Sequence, residues 1–137
     1  MKRIAYTLLA LLLAALPAGA QINMPSISGA VAALNAIATG TTGVVTATLP
    51  GAAGDTTYIC GFDVSAAGGT ATVSPITVTG LLGGTFTYQG VSAGSAPYTH
   101  AYWPCIPASA INTSISVTTT ADGTATAVNV QAWGFRQ

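Results

Sequence analysis

The chain of 137 residues is half hydrophobic and only 4% charged, with three basic and three acidic side chains. Binding through nucleic-acid phosphates requires clustered Lys and Arg. Two of the three cations here are Lys2 and Arg3 and the third is the isolated Arg136, so nucleic acid and anionic membrane surfaces are excluded as partners.

Met1-Lys2-Arg3, an apolar run from Ile4 to Leu16, and Pro17-Ala18-Gly19-Ala20 together read as a secretory signal over 1–20, cleaved after Ala20. The run is shorter than the ~20 apolar residues that cross a bilayer, so no stable membrane span is expected after cleavage. The expected location is secreted, periplasmic or on the extracellular surface. Residues 21–42 form an N-terminal arm or short helix in this reading: Ile27, Val31, Leu34 and Ile37 fall three or four apart, and Ser26 or Ser28 can cap.

From 43 to 137 the pattern is β. Residues 44–49 make a first strand, ended by Pro50-Gly51 and the turn formers through Asp55. In 57–65, Tyr58, Cys60, Phe62 and Val64 share one parity, which predicts a half-buried strand with that row inward. Gly68-Gly69 predicts a tight hairpin. The returning strand, 70–79, carries Pro75 and must lie at an edge or hold a bulge. The turn at 80–84 leads into 85–89, with Phe86 and Tyr88 on one face.

Residues 98–106 hold the densest aromatic group. If Cys105 faces inward, Trp103 faces inward with it, and Tyr98, His100 and Tyr102 face out unless Pro104 shifts the register. In 111–120, Ile111, Thr113, Ile115, Val117 and Thr119 alternate with polar residues. Asp122-Gly123 is a hairpin signal. The last strand, 124–135, sets Val128, Val130 and Ala132 against Trp133 and Phe135 on its other face. About seven short strands joined by turns predict an all-β domain, an antiparallel β-sandwich of immunoglobulin-like or jelly-roll type.

The chain has two cysteines. In an exported protein, and without the C-x-x-C spacing of redox or metal pairs, Cys60 and Cys105 predict a structural disulfide. His100 is the sole histidine, and no Gly-x-Ser-x-Gly elbow or comparable nucleophile context accompanies it. Asp55 and Asp122 sit in turns, and Asp63 lies in mid-strand opposite the core row. No metal site, cofactor or catalytic residue is predicted, and Asn112-Thr113-Ser114 is read as a chance sequon.

Two functions from different classes follow. The first is a non-enzymatic structural or assembly protein: a surface coat, a filament or a particle-decorating domain, partnered by itself or by another surface or particle protein. It rests on the scarcity of charge, which favours association, and on an arm able to add to a neighbouring sheet edge. The alternative is a carbohydrate- or ligand-binding sandwich using Tyr98, His100 and Tyr102 as its candidate face.

Overall fold

In the computed structural model, residues 31–68, 74–90, 94–121 and 127–137 are described. They form eight strands: β1 (Ala32–Gly40), β2 (Gly43–Leu49), β3 (Thr57–Ala67), β4 (Ile76–Leu81), β5 (Gly84–Tyr88), β6 (Tyr98–Pro107), β7 (Ile115–Ala121) and β8 (Ala127–Arg136). Two four-stranded sheets result, sheet A in the order β1-β8-β3-β6 and sheet B in the order β2-β7-β4-β5. Every pairing is antiparallel. With successive strands mostly alternating between sheets, this is the eight-stranded jelly-roll arrangement. The expected signal segment, 1–20, and residues 21–30 lie outside the described residues.

Alternation builds the core. Val45, Ala47 and Leu49 from β2, Ile76, Val78 and Leu81 from β4, and Ile115, Val117 and Ala121 from β7 meet Val64, Ala66, Val128, Val130 and Ala132 of sheet A. The Thr and Ser residues between them face solvent, as period-2 patterning requires. Thr46 and Thr118 approach to 3.0 Å through their hydroxyls, and Thr48 and Ser116 to 2.9 Å, so the outer face of sheet B is an uncharged hydroxyl surface.

Four expectations are corrected. First, residues 32–40 are a strand rather than a helix or a free arm, and this strand is the eighth. Leu34, Ala36 and Ala38 pack on the core while Ile37 points to solvent. The alternation is real, but alanine gives it little hydropathy contrast.

Second, β3 does not keep one parity. Cys60 is an extra residue between the pairs Ile59↔Gly134 and Gly61↔Trp133, a β-bulge. Thr57 and Ile59 therefore face inward before it and Phe62, Val64 and Ala66 after it. Third, β3 and β4 are not a hairpin, since they belong to different sheets, and the same holds for β7 and β8. Most of the Gly68-Gly69 connection and all of the Asp122-Gly123 turn lie outside the described residues. The hairpin predicted at 80–84 is present: β4 and β5 pair, and Gly83 and Gly84 take the positive φ values of 103° and 101° that side-chain-bearing residues avoid.

The predicted disulfide is present: Cys60 and Cys105 are bonded, with Cα atoms 4.3 Å apart, and staple the neighbouring strands β3 and β6 of sheet A. The fourth correction is the side they face: both cysteines, expected inward, lie on the outer side of the sheet. Trp103, expected inward beside Cys105, is 96% exposed.

Candidate functional site

Tyr98, His100 and Tyr102 point between the sheets, the reverse of the outward placement expected. The reason is the side on which Cys105 lies. The pairs Ile59↔Ile106 and Gly61↔Ala101 leave Tyr102, Trp103, Pro104 and Cys105 opposite Cys60 alone, an even number that keeps the parity of β6. Because Ile106 packs on the core, Cys105 turns outward with Trp103 and Ala101, and Tyr98, His100 and Tyr102 turn inward. The Trp103-Pro104 peptide bond within this irregular stretch is cis.

The inward rings gather around fully buried Phe62. Its centroid lies 5.2 Å from Tyr88, 6.0 Å from Tyr98, 5.7 Å from His100 and 6.3 Å from Tyr102. His100 packs 4.7 Å from Tyr88 and edge-on to Tyr102 at 4.8 Å. The Tyr88 and Tyr102 hydroxyls share a hydrogen bond of 2.7 Å. Burial, reinforced by that bond, pushes the Tyr102 phenol well above its ordinary range. Backbones approach closely where β1 meets β2, and among the described residues no comparable approach joins β5 to β6. The rings fill that wider side, as aromatics with polar rims do well. The cluster is thus a plug at the sandwich edge, half-exposed at His100, Tyr88 and Tyr98.

The outer face of sheet A carries the more accessible constellation. One cross-strand row is Ala33, Phe135, Tyr58 and Pro107, with Tyr58 and Phe135 stacked at 4.7 Å and 9°. The disulfide follows. The next row is Asn35, Trp133, Gly61 and Ala101. A Cβ on Gly61 would collide with Trp133 Cζ2 and stand 2.7 Å from Cε2, so only glycine lets the indole lie down on the β3 backbone. Trp103 projects from the adjoining β6 irregularity into solvent.

A polar row lies two residues further along the strands: Ile37, Gln131, Asp63 and Thr99. Thr99 Oγ1 donates to Asp63 Oδ2 at 3.4 Å, and Gln131 Nε2 donates to Asn35 Oδ1 at 3.4 Å. No protein-family model, curated protein or solved structure matches the chain. The site therefore stands on its own geometry.

Beyond the polar row, Thr39, Ser65 and Asn129 line a cleft of about 560 Å³ at the strand ends, with Gly40, Thr41 and Ala67 among its other walls. Among the described residues no three His, Cys, Asp or Glu come together as metal ligands, and no helix is long and apolar enough to cross a membrane. The disulfide fits an oxidising compartment. Asn112 is a structural residue. At φ 65° its Oδ1 accepts the Gly54 N–H at 2.7 Å, pinning the loop before β3.

Sequence reasoning singled out Asp63 but missed Trp133 on Gly61 and the outward Trp103. A glycine in the middle of a bulky strand was the available signal, because a strand interior seldom gives up a side chain without something approaching its backbone.

Proposed function

We propose that the protein is a secreted, non-enzymatic sandwich that works by holding another molecule against the outer face of sheet A. The observation that carries this is Trp103, 96% exposed on edge strand β6 of the sheet whose outer face also carries the half-buried Trp133, Tyr58 and Phe135. An indole has ~150–250 Å² to cover, worth roughly 4–6 kcal/mol gross at ~25 cal/mol per Å² before association costs are subtracted. Tryptophan is also the residue type most enriched at binding hot spots. The candidate face thus moves from Tyr98, His100 and Tyr102, whose rings plug the sandwich edge, to the opposite side of the same sheet.

The structural or assembly reading is favoured by a different observation. Ile37 is 62% exposed on edge strand β1 and Val44 69% exposed on edge strand β2, in a chain with few charges to keep copies apart. Its test must spare β1, which is integral to sheet A, so the segment to remove is 21–30. One experiment separates the readings: the mass in solution of oxidised 21–137, across a concentration series, with and without Trp103→Ala. A monomer throughout supports the binding module. Discrete assemblies or filaments that survive Trp103→Ala support assembly and count against the binding face.

A further inference from the structure

We infer that the outer face of sheet A binds a neutral, hydroxyl-rich glycan chain, stacked on Trp133 and Trp103 and hydrogen-bonded by Asp63, Gln131, Asn35 and Thr99. This rests on the face being the working surface of the protein, as proposed above.

The platform comes first. Trp133 lies along the β3 backbone because Gly61 has no side chain to lift it, which turns one indole face toward solvent. The negative face of an aromatic ring attracts positively polarised C–H edges, and the axial C–H face of a pyranose presents such edges. Trp103, on the strand stapled through Cys105 to Cys60, supplies a second aromatic surface at the sheet edge.

The polar row sets the chemistry of the ligand. Residues two apart on a strand are ~6.5–7 Å apart, so a ring seated on Trp133 has its rim over Gln131 and, on the neighbouring strand, Asp63. Carboxylate and carboxamide groups suit vicinal hydroxyls because each offers two polar atoms in one plane. Their present contacts, 3.4 Å for Thr99 to Asp63 and 3.4 Å for Gln131 to Asn35, exceed the ~2.7–3.2 Å of well-formed bonds, so ligand hydroxyls can replace them at little cost. A protein partner would be expected to find a dry apolar centre with polar groups at the rim. Here the polar groups lie along the middle of the sheet, next to the aromatic ones.

Charge narrows the class further. Asp63 is the charged group on this face, and the lone cation of the described residues, Arg136, sits at the far end of β8 opposite Ala32 and Thr57. A uronate, sulfated or phosphorylated chain would meet a carboxylate with no cation to answer it. A neutral chain meets only donors and acceptors. Thr39, Ser65 and Asn129 extend the same strands into the 560 Å³ cleft, so the surface is elongated along β3 and β8. That shape suits several residues of a chain better than a single sugar.

The test uses oxidised 21–137 in affinity electrophoresis through gels containing soluble β-glucan, xylan or galactomannan, and in co-sedimentation with cellulose and chitin; polygalacturonate is the anionic comparison. Binding to at least one neutral polysaccharide and none to polygalacturonate is expected. Trp103→Ala, Trp133→Ala and Asp63→Ala should each weaken it about tenfold or more, while Thr118→Val on sheet B leaves it unchanged. Trp103 is fully exposed, so its variant reports binding without disturbing the fold. The inference is overturned if no neutral polysaccharide binds, if polygalacturonate binds as well, or if binding survives Trp103→Ala and Asp63→Ala together. Loss of the glycan inference and loss of the binding face are distinguishable. If no glycan binds but Trp103→Ala abolishes capture of a protein partner, the face stands and the ligand class falls.

Discussion

Removing the disulfide by a Cys60→Ala/Cys105→Ala double change isolates how much of this fold is held by covalent closure. The bond spans a sequence separation of 45, for which the chain-entropy model gives about 4 kcal/mol. The native side of the balance should change little. The bond crosses an interruption in the β3–β6 ladder, and the pairs Ile59↔Ile106 and Gly61↔Ala101 on either side remain. The loss therefore belongs to the unfolded chain, which gains freedom over a loop holding β4, β5 and most of β6. Against a total stability of ~5–15 kcal/mol this is a large share. In urea, with a slope of ~2 kcal/mol per M, the midpoint should fall by about 2 M. The slope itself should rise, because the uncrosslinked chain exposes more surface. Urea titration followed by tryptophan emission measures both quantities. A loss below about 1 kcal/mol with an unchanged slope would refute the reasoning, since it would mean that the open loop is constrained by something other than the bond.

Three further outcomes follow from the packing. Phe62→Ala removes the ring on which four others converge and should cost roughly 3–5 kcal/mol in the same titration. Gly61→Ala drives a methyl into Trp133 and toward the His100 carbonyl; in a Trp103→Phe background it should cost roughly 1–3 kcal/mol and red-shift the remaining tryptophan emission. The third is pH dependence. The folded Tyr102 phenol holds its proton above the pH of ~10 at which the unfolded one releases it, so the unfolded state binds fewer protons there. Stability from this group is complete below about pH 10 and is lost as pH rises beyond it, and Tyr102→Phe should flatten that decline; an unchanged slope in the variant would assign the decline elsewhere.

How far the sequence could be read depended on contrast and on uninterrupted counting. The inward row Ile115, Val117 and Thr119 of β7 was legible because β-branched residues alternate with Ser and Thr, and β4–β5 was legible because its turn needs glycine. The Cys60–Cys105 bond followed from there being no other partner. In β1 the pattern was present, but Leu34, Ala36 and Ala38 differ too little from their neighbours to outweigh a spurious helical spacing. In β3 and β6 the contrast was strong and the counting failed at Cys60, the one extra residue that reverses the parity of β3 and leaves Cys60 outside although Phe62 and Val64 lie inside. Along β6 the parity holds, but counting from a Cys105 taken to face inward set Tyr98, His100 and Tyr102 outside and Trp103 inside, so the candidate site appeared on the wrong side of the right sheet. Pairings between distant strands were illegible for a different reason: Gly-Gly and Asp-Gly favour a reversal but do not say whether the chain returns beside itself or crosses to the other sheet.

β8 is the last of the described strands in chain order, yet it occupies an interior position, flanked by β1 on one side and β3 on the other. Until it arrives, the first and third strands have nothing between them, and sheet A exists only as separated pieces. The domain cannot mature progressively from its front end; the final strand, Ala127–Arg136, acts as the keystone that locks the arch. For a chain exported as proposed, this timing is useful. Closure of sheet A waits until β8 has come through. The same arrangement makes the tail unforgiving: a stop codon that deletes β8 leaves no smaller domain behind, only an unfinished one.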